Sequence, residues 1–204
     1  MSSAVEIIVR LRQQAEPASR YMVGIAGAPG SGKSTLSQQL SDGLIAEGES
    51  AVVVPMDGFH FDDAVLNARG HRARKGAPYT YDVAGFEALL KRIKRREADI
   101  AIPVFDRSME LSRAAADIIS VDTKFILVEG NYLLLKAAPW NRLKSLFDFT
   151  LFVDEPETEL VRRLMQRWHE HGFDDSYAKN WIASNDLLNI REIRANSASA
   201  DWVV

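Results

Sequence analysis

Four groups of polar residues are spaced so that they could do chemistry together. The first is the loop Gly27-Ala28-Pro29-Gly30-Ser31-Gly32-Lys33-Ser34-Thr35, a G-x-x-x-x-G-K-S pattern. Its glycines let the backbone curl until successive N–H groups point at one anion. A helix that starts at Lys33 adds its positive end to the same spot. Lys33 offers a compact cation for β- and γ-phosphates, and Ser34 a hydroxyl for Mg²⁺. Residues 27–35 are therefore expected to bind a nucleoside triphosphate.

The second and third groups are carboxylates at the ends of apolar runs. Asp57 follows Val52-Val-Val-Pro-Met, and Glu129 follows Phe125-Ile-Leu-Val. If both runs are strands of one parallel sheet, both side chains emerge at its carboxyl edge, facing the loop after the first strand. There Asp57 could accept the proton of an attacking hydroxyl or approach Mg²⁺; the alternative is an ordinary Asp-Gly turn. An unpaired charge is costly at the end of so apolar a strand, so Glu129 implies a metal or cationic neighbour. The fourth group is Arg163 and Arg167, with Arg162 adjacent. Four residues apart, Arg163 and Arg167 share a helical face and suit the charge on a transferring phosphoryl group. A solvated basic face paired with Glu159 and Glu170 is the competing reading. His60, His71, His169 and His171 have no metal-ligand spacing.

These residues need a scaffold of alternating strands and helices. Apolar, β-prone runs at 21–26, 51–54, 125–128, 149–153 and 201–204 predict five strands, separated by helix-period stretches. Helices are expected over 5–14, from Lys33 to Glu47 before Gly48, and along the stripe Val83, Phe86, Leu89, Leu90, Ile93. Another starts near Pro156, capped by Asp154 or Glu155. A last one spans Asp174–Ile193, with Tyr177, Trp181 and Leu188 facing inward. The basic run Lys91–Arg96 falls on the outer face of its helix. The irregular stretch Asp57–Asp82 is too long to be an idle loop.

Composition narrows the classes. At 204 residues, with 47% hydrophobic and 26% charged residues, the chain is expected to form one domain, residues 1–204. A net charge of −3 argues against a bulk nucleic-acid surface. No cysteine is present, which excludes disulfides and thiolate chemistry. No apolar run approaches a membrane span, so no membrane insertion and a cytoplasmic location are expected.

Taken together the motifs resemble the uridine kinase, phosphoribulokinase and bacterial pantothenate kinase group of phosphate-loop kinases. Met56-Asp-Gly-Phe59 is similar to the T-D-G-F of pantothenate kinases. Lys75-Gly-Ala-Pro-Tyr-Thr-Tyr-Asp82 is similar to their K-G-x-P-x-S-Y-D. Pro103-Val-Phe-Asp-Arg107, Glu129-Gly130 and Arg162–Arg167 match the acceptor-pocket, fourth-strand and lid segments. Asp57-Gly-Phe-His60, Glu129-Gly-Asn-Tyr-Leu-Leu134 and Asn185-Asp-Leu-Leu-Asn189 look like the bacterial nucleoside/nucleotide kinase-like proteins labelled fructose transport system kinases. The long insertion of true pantothenate kinases and the N-F-D-H-P of uridine kinases are missing, so neither substrate carries over.

The resemblance implies a three-layer α/β/α P-loop NTPase fold, with a parallel five-stranded sheet and a small helical lid at about 156–172. It implies ATP and Mg²⁺ as cofactors. A small-molecule acceptor, a sugar or nucleoside-like alcohol, would be phosphorylated by a monomer or homodimer. Lys33, Asp57, Arg163 and Arg167 would be catalytic, and Ser34, Asp57 and Glu129 would attend the metal. Asp82, Asp106 and Arg107 would line the acceptor pocket, with Phe59 and Tyr81 as walls. Arg107 and the Arg72–Lys75 run would leave room for an anionic group on the acceptor. The competing class is a nucleotide-dependent regulatory or accessory ATPase. Its guanine-specific form is disfavoured because N-K-x-D does not occur, and a 5′-hydroxyl nucleic-acid kinase rests only on the Lys91–Arg96 run.

Overall fold

The computed structural model describes residues 3–16 and 18–204. Ser3 opens α1 (Ala4–Gln14) with a reciprocal capping box to Glu6. Then follow β1 (Tyr21–Gly27), α2 (Lys33–Ala46), β2 (Ala51–Pro55), α3 (Asp63–Ala68), α4 (Val83–Lys94), β3 (Ile100–Asp106), β4 (Leu111–Ile119) and β5 (Phe125–Gly130). After these come β6 (Phe149–Val153), α5 (Glu157–Glu170), α6 (Asp175–Trp181), α7 (Leu187–Asn196) and β7 (Trp202–Val203). The main sheet is parallel, in the order β2-β5-β1-β6-β7, so all five strands anticipated from the apolar runs are in it.

Strands β1 and β5 are buried along their whole length, which is why they read as continuous apolar runs rather than alternating ones. On one face, Ile7 and Leu11 of α1 and Leu40 and Leu44 of α2 pack against Val23, Ile25 and Leu127. On the other, Phe86, Leu90 and Ile93 of α4 pack against Met22, Ile126 and Val128. Each such side chain contributes roughly 1.5–3 kcal/mol by leaving water. This fixes the two helical layers. A smaller cluster of Leu160, Leu164, Ile182 and Ile190 seats α5, α7 and the turn before α7 beside Ala28 of the loop.

Three expectations need correction. The antiparallel hairpin β3–β4 was not foreseen, because β4 reads Leu-Ser-Arg-Ala-Ala-Ala-Asp-Ile-Ile and is mostly exposed, with no apolar alternation to betray it. Helix α5 has Pro156 at its N-cap and no side-chain cap; Asp154 and Glu155 instead hold Arg194 and Arg163. The last helix is two, joined by a π-turn at Ile182–Asp186. There Asn185 and Asn189 are buried, and Tyr177 and Leu188, expected inside, are 41% and 48% exposed.

Candidate active site

The first strand delivers the loop. Gly30 and Gly32 have φ of +81° and +91°, values that favour glycine, and Gly32 is the N-cap of α2. Lys33 and Ser34 thereby occupy the first turn of α2. Register then brings in the carboxylates. Glu129 pairs with Ile25 on one side and Pro55 on the other, so it emerges between the loop after β1 and the turn after β2. Glu129 is 6% exposed, and the Ser34 hydroxyl donates to its Oε2 at 3.1 Å. Burial raises its proton affinity, offset in part by Lys33 and increased by Asp57. A hydroxyl and two carboxylates are hard oxygen donors of the kind Mg²⁺ takes alongside phosphate and water. Among the described residues no cluster of three acidic or histidine ligands exists, so the protein alone builds no full metal cage.

Asp57 sits in a 3₁₀ turn, Met56–Phe59, directly after β2. The turn is tight because Gly58 lies against the carbonyl of Pro103 on β3, where a Cβ has no room. Burial pushes the Asp57 carboxyl up, but His60, Arg107, Lys33 and Arg167 together hold it below the usual carboxylate range. It is therefore ionised at neutral pH. Arg107 donates to Oδ2 at 2.8 Å, and the Tyr81 hydroxyl stands 3.5 Å from Oδ1.

Asp57 and Lys33 line a cavity of about 500 Å³ between the sheet edge, the β3–β4 hairpin and helices α5–α7. Tyr81, Arg107 and Arg167 also line it. Three predicted pocket residues are elsewhere. Asp82 caps α4 by accepting from the Gly85 amide at 2.9 Å. Asp106 accepts from Ser108 and Met109 in the hairpin turn. Phe59 turns into the core against Phe86, their rings 4.8 Å apart. Asp at a helix start or a turn has a local use that its sequence position does not distinguish from a ligand role.

Arg163 and Arg167 share a face of α5 but not a task. Arg163 donates to Glu159 at 2.7 Å and Glu155 at 2.8 Å, and to the carbonyls of Gly30 and Ser31 at 3.4 and 3.2 Å. It braces the outer side of the loop and is not directed into the cavity. Arg167 reaches the cavity, where burial and Arg107 weaken its hold on its proton.

His60 and Asp186, which sequence reasoning left without a role, also line the cavity. The His60 ring packs 4.0 Å from that of Tyr81, with Nδ1 3.0 Å from the Asp57 carbonyl oxygen. Burial lowers its pKa, which favours the neutral ring. Its position three residues after Asp57 in Asp-Gly-Phe-His was the available signal. Asp186 lies in the π-turn, and burial raises its carboxyl to about 6 against the pull of Arg167 and Trp168. Its place in the segment Asn185-Asp-Leu-Leu-Asn189 was the available signal, but that segment assigned it no role.

Residues 22–186 match the Phosphoribulokinase / Uridine kinase family. The chain belongs to that family. This kinase is 33% identical over 194 residues to the uncharacterised protein YggC of Escherichia coli (strain K12), across 94% of this chain and 80% of that one. It is 30% identical to the pantothenate kinase of Coxiella burnetii (strain RSA 493 / Nine Mile phase I), across 76% of this chain but 49% of that protein. A structure from Silicibacter sp. TM1040, provisionally described as a fructose transport system kinase, superposes with a TM-score of 0.95 at 37% identity, covering 100% of both chains. The fold is shared with YFH7 of Saccharomyces cerevisiae at 18% identity and a TM-score of 0.85, over 100% of this chain and 98% of that one. As a member of its family, this kinase is an ATP-using phosphotransferase with an alcohol group as acceptor. Among the described residues, no helix is long and apolar enough to cross a membrane.

Proposed function

We propose that residues 1–204 act as one kinase domain that moves the γ-phosphoryl group of Mg·ATP to a hydroxyl of a small polar metabolite, a sugar or nucleoside-like alcohol. The observation that carries this reading is the placement of Asp57. An ionised carboxylate faces a cavity of about 500 Å³ that Lys33 and Arg167 also line. A hydroxyl that accepts a phosphoryl group needs these neighbours.

Residues 27–35 hold the β- and γ-phosphates through backbone N–H groups and Lys33. Ser34 and Glu129, with Asp57, would attend Mg²⁺, which would supply positive charge to offset that of the triphosphate. Asp57 receives the acceptor hydroxyl at Oδ1 and orients it in line. As the acceptor oxygen bonds to the γ-phosphorus, the bond to the β–γ bridging oxygen breaks and ADP leaves. The hydroxyl proton passes to Asp57 and is given up to water only after the products leave. In a loose transition state the proton leaves late, so a weak base held in place is sufficient. Arg167 stabilises charge on the moving group, and the lid keeps water out.

The test is ADP release with Mg·ATP against sugars, nucleosides and pantothenate-like alcohols, with product mass determined. Acceptor-dependent release giving a phosphorylated product supports the reading. Slow release indifferent to every acceptor, with tight ATP binding, would favour a nucleotide-dependent regulatory protein instead.

A further inference from the structure

We infer that the cavity selects an uncharged, polyhydroxylated alcohol over its phosphorylated or carboxylated counterpart, with Asp186 and Asn131 accepting hydrogen bonds from hydroxyls other than the reacting one. The inference rests on the transfer reading above and adds the charge class of the acceptor.

Three of the cations that line the cavity, Lys75, Arg72 and Arg107, are paired with carboxylates. All three donors of the Lys75 ammonium are used, by Asp63 Oδ1 at 2.8 Å, the Glu110 carbonyl at 2.9 Å and Glu110 Oε2 at 3.3 Å. Arg72 is paired with Asp63 at 2.6 Å, and Arg107 with Asp57 at 2.8 Å. Lys33 serves the phosphate loop. That leaves Arg167, which the transferring group needs. A second anion would meet the carboxylates of Asp57, Glu110 and Asp186 and would have to compete with Asp63, Glu110 and Asp57 for cations already paired with them.

Two unmet hydrogen-bond acceptors point the same way. Asp186 Oδ2 and Asn131 Oδ1 are buried and have no hydrogen-bond partner, and both residues line the cavity. Buried acceptors of this kind normally have a donor. An alcohol brings O–H donors; a carboxylate or phosphate brings only more acceptors. Trp168, Phe173, Tyr177 and Trp181 form an aromatic wall of the same cavity, the stacked rings of Phe173 and Tyr177 lying 4.4 Å apart. Such a wall suits the C–H face of a small ring rather than a charged group.

Matched pairs differing only by a charged group test this: D-fructose and D-fructose 6-phosphate, D-ribose and D-ribose 5-phosphate, D-pantothenol and D-pantothenate. Each is titrated calorimetrically into the enzyme saturated with Mg²⁺ and a non-hydrolysable ATP analogue. In the pair that binds, the neutral member is expected to bind at least tenfold more tightly. Asp186→Ala should remove at least tenfold of that affinity while leaving analogue binding unchanged. Asp63→Asn with Glu110→Gln, which frees Lys75 and Arg72, should narrow or invert the preference. Equal or tighter binding of the anionic member overturns the inference, as does binding of neither member of any pair. Neutral-selective binding with no phosphorylated product under Mg·ATP would instead overturn the transfer reading and leave the selectivity standing.

Discussion

Asp57 owes its low pKa to company, not to exposure: His60, Arg107, Lys33 and Arg167 outweigh its burial. Asp57→Asn keeps the shape and removes the proton acceptor. Turnover should fall by about 10²–10⁴ while ATP affinity, read by fluorescent-nucleotide titration, stays within about twofold. Asp186 gives a second prediction, with the opposite sign of shift. Its carboxyl is raised from an ordinary 3.8 to about 6, chiefly by burial, so the folded state favours the protonated form. The stability that proton confers is full below pH 4 and is lost as pH rises through 6. At about 1.4 kcal/mol per unit, the loss amounts to about 3 kcal/mol. Urea unfolding of wild type and Asp186→Asn across pH 4–8 should therefore show the difference moving in the variant's favour by about that amount. A flat difference would mean that Asp186 titrates normally. At this scale the loop, Asp57 and Glu129 were legible because a phosphate loop and charged ends of apolar strands have few other uses. Asp82, Asp106 and Phe59 were misplaced because capping, turn-making and core packing draw on the same residue types.

The elements share the work unequally. Helix α5 presents Arg167 to the cavity and Arg163 to the carbonyls of Gly30 and Ser31, so one face of one helix both lines the cavity and steadies the loop. Arg163→Ala should raise the dissociation constant for ATP about tenfold, the loss of one to two charge-assisted hydrogen bonds, with acceptor KM unchanged. A loss confined to kcat would return Arg163 to the transferring phosphoryl group. The 3₁₀ turn of Asp57 depends on β3 in a similar way. Gly58→Ala drives a methyl into the Pro103 carbonyl, and about 1–3 kcal/mol of stability should be lost in chemical unfolding. The hairpin behind that contact was invisible in the sequence. Its strand β4 faces solvent with alanines and charges, and exposed strands carry little pattern. The parallel strands were readable because burial on both faces leaves unbroken apolar runs. The basic run Lys91–Arg96 also behaved as its spacing suggested, with Lys91 on Glu87 and Arg92 and Arg95 on Glu97.

Across the whole molecule, Arg20 joins parts that the sheet does not. Its guanidinium donates to the carbonyls of Ile93, Ser120, Val121 and Thr123, tying the end of α4 and the exit of the hairpin to the start of β1. Arg20→Ala removes four hydrogen bonds, those to Ile93 and Thr123 buried, and should cost about 3 kcal/mol, seen as a lower urea midpoint with an unchanged slope. On the proposed reading, nucleotide contacts fall on the loop after β1 and on α2, whereas the other residues lining the cavity come from the 57–81 segment, the hairpin and α5–α7. The hairpin pairs only β3 with β4 and shares no ladder with the main sheet. It can therefore be treated as a cassette: with Pro103 and the buried Ile100, Ile102 and Ile119 kept, a β3–β4 segment from another kinase could be grafted between α4 and β5 without cutting a strand of the main sheet, and acceptor choice could be rewritten while the phosphate donor stays the same.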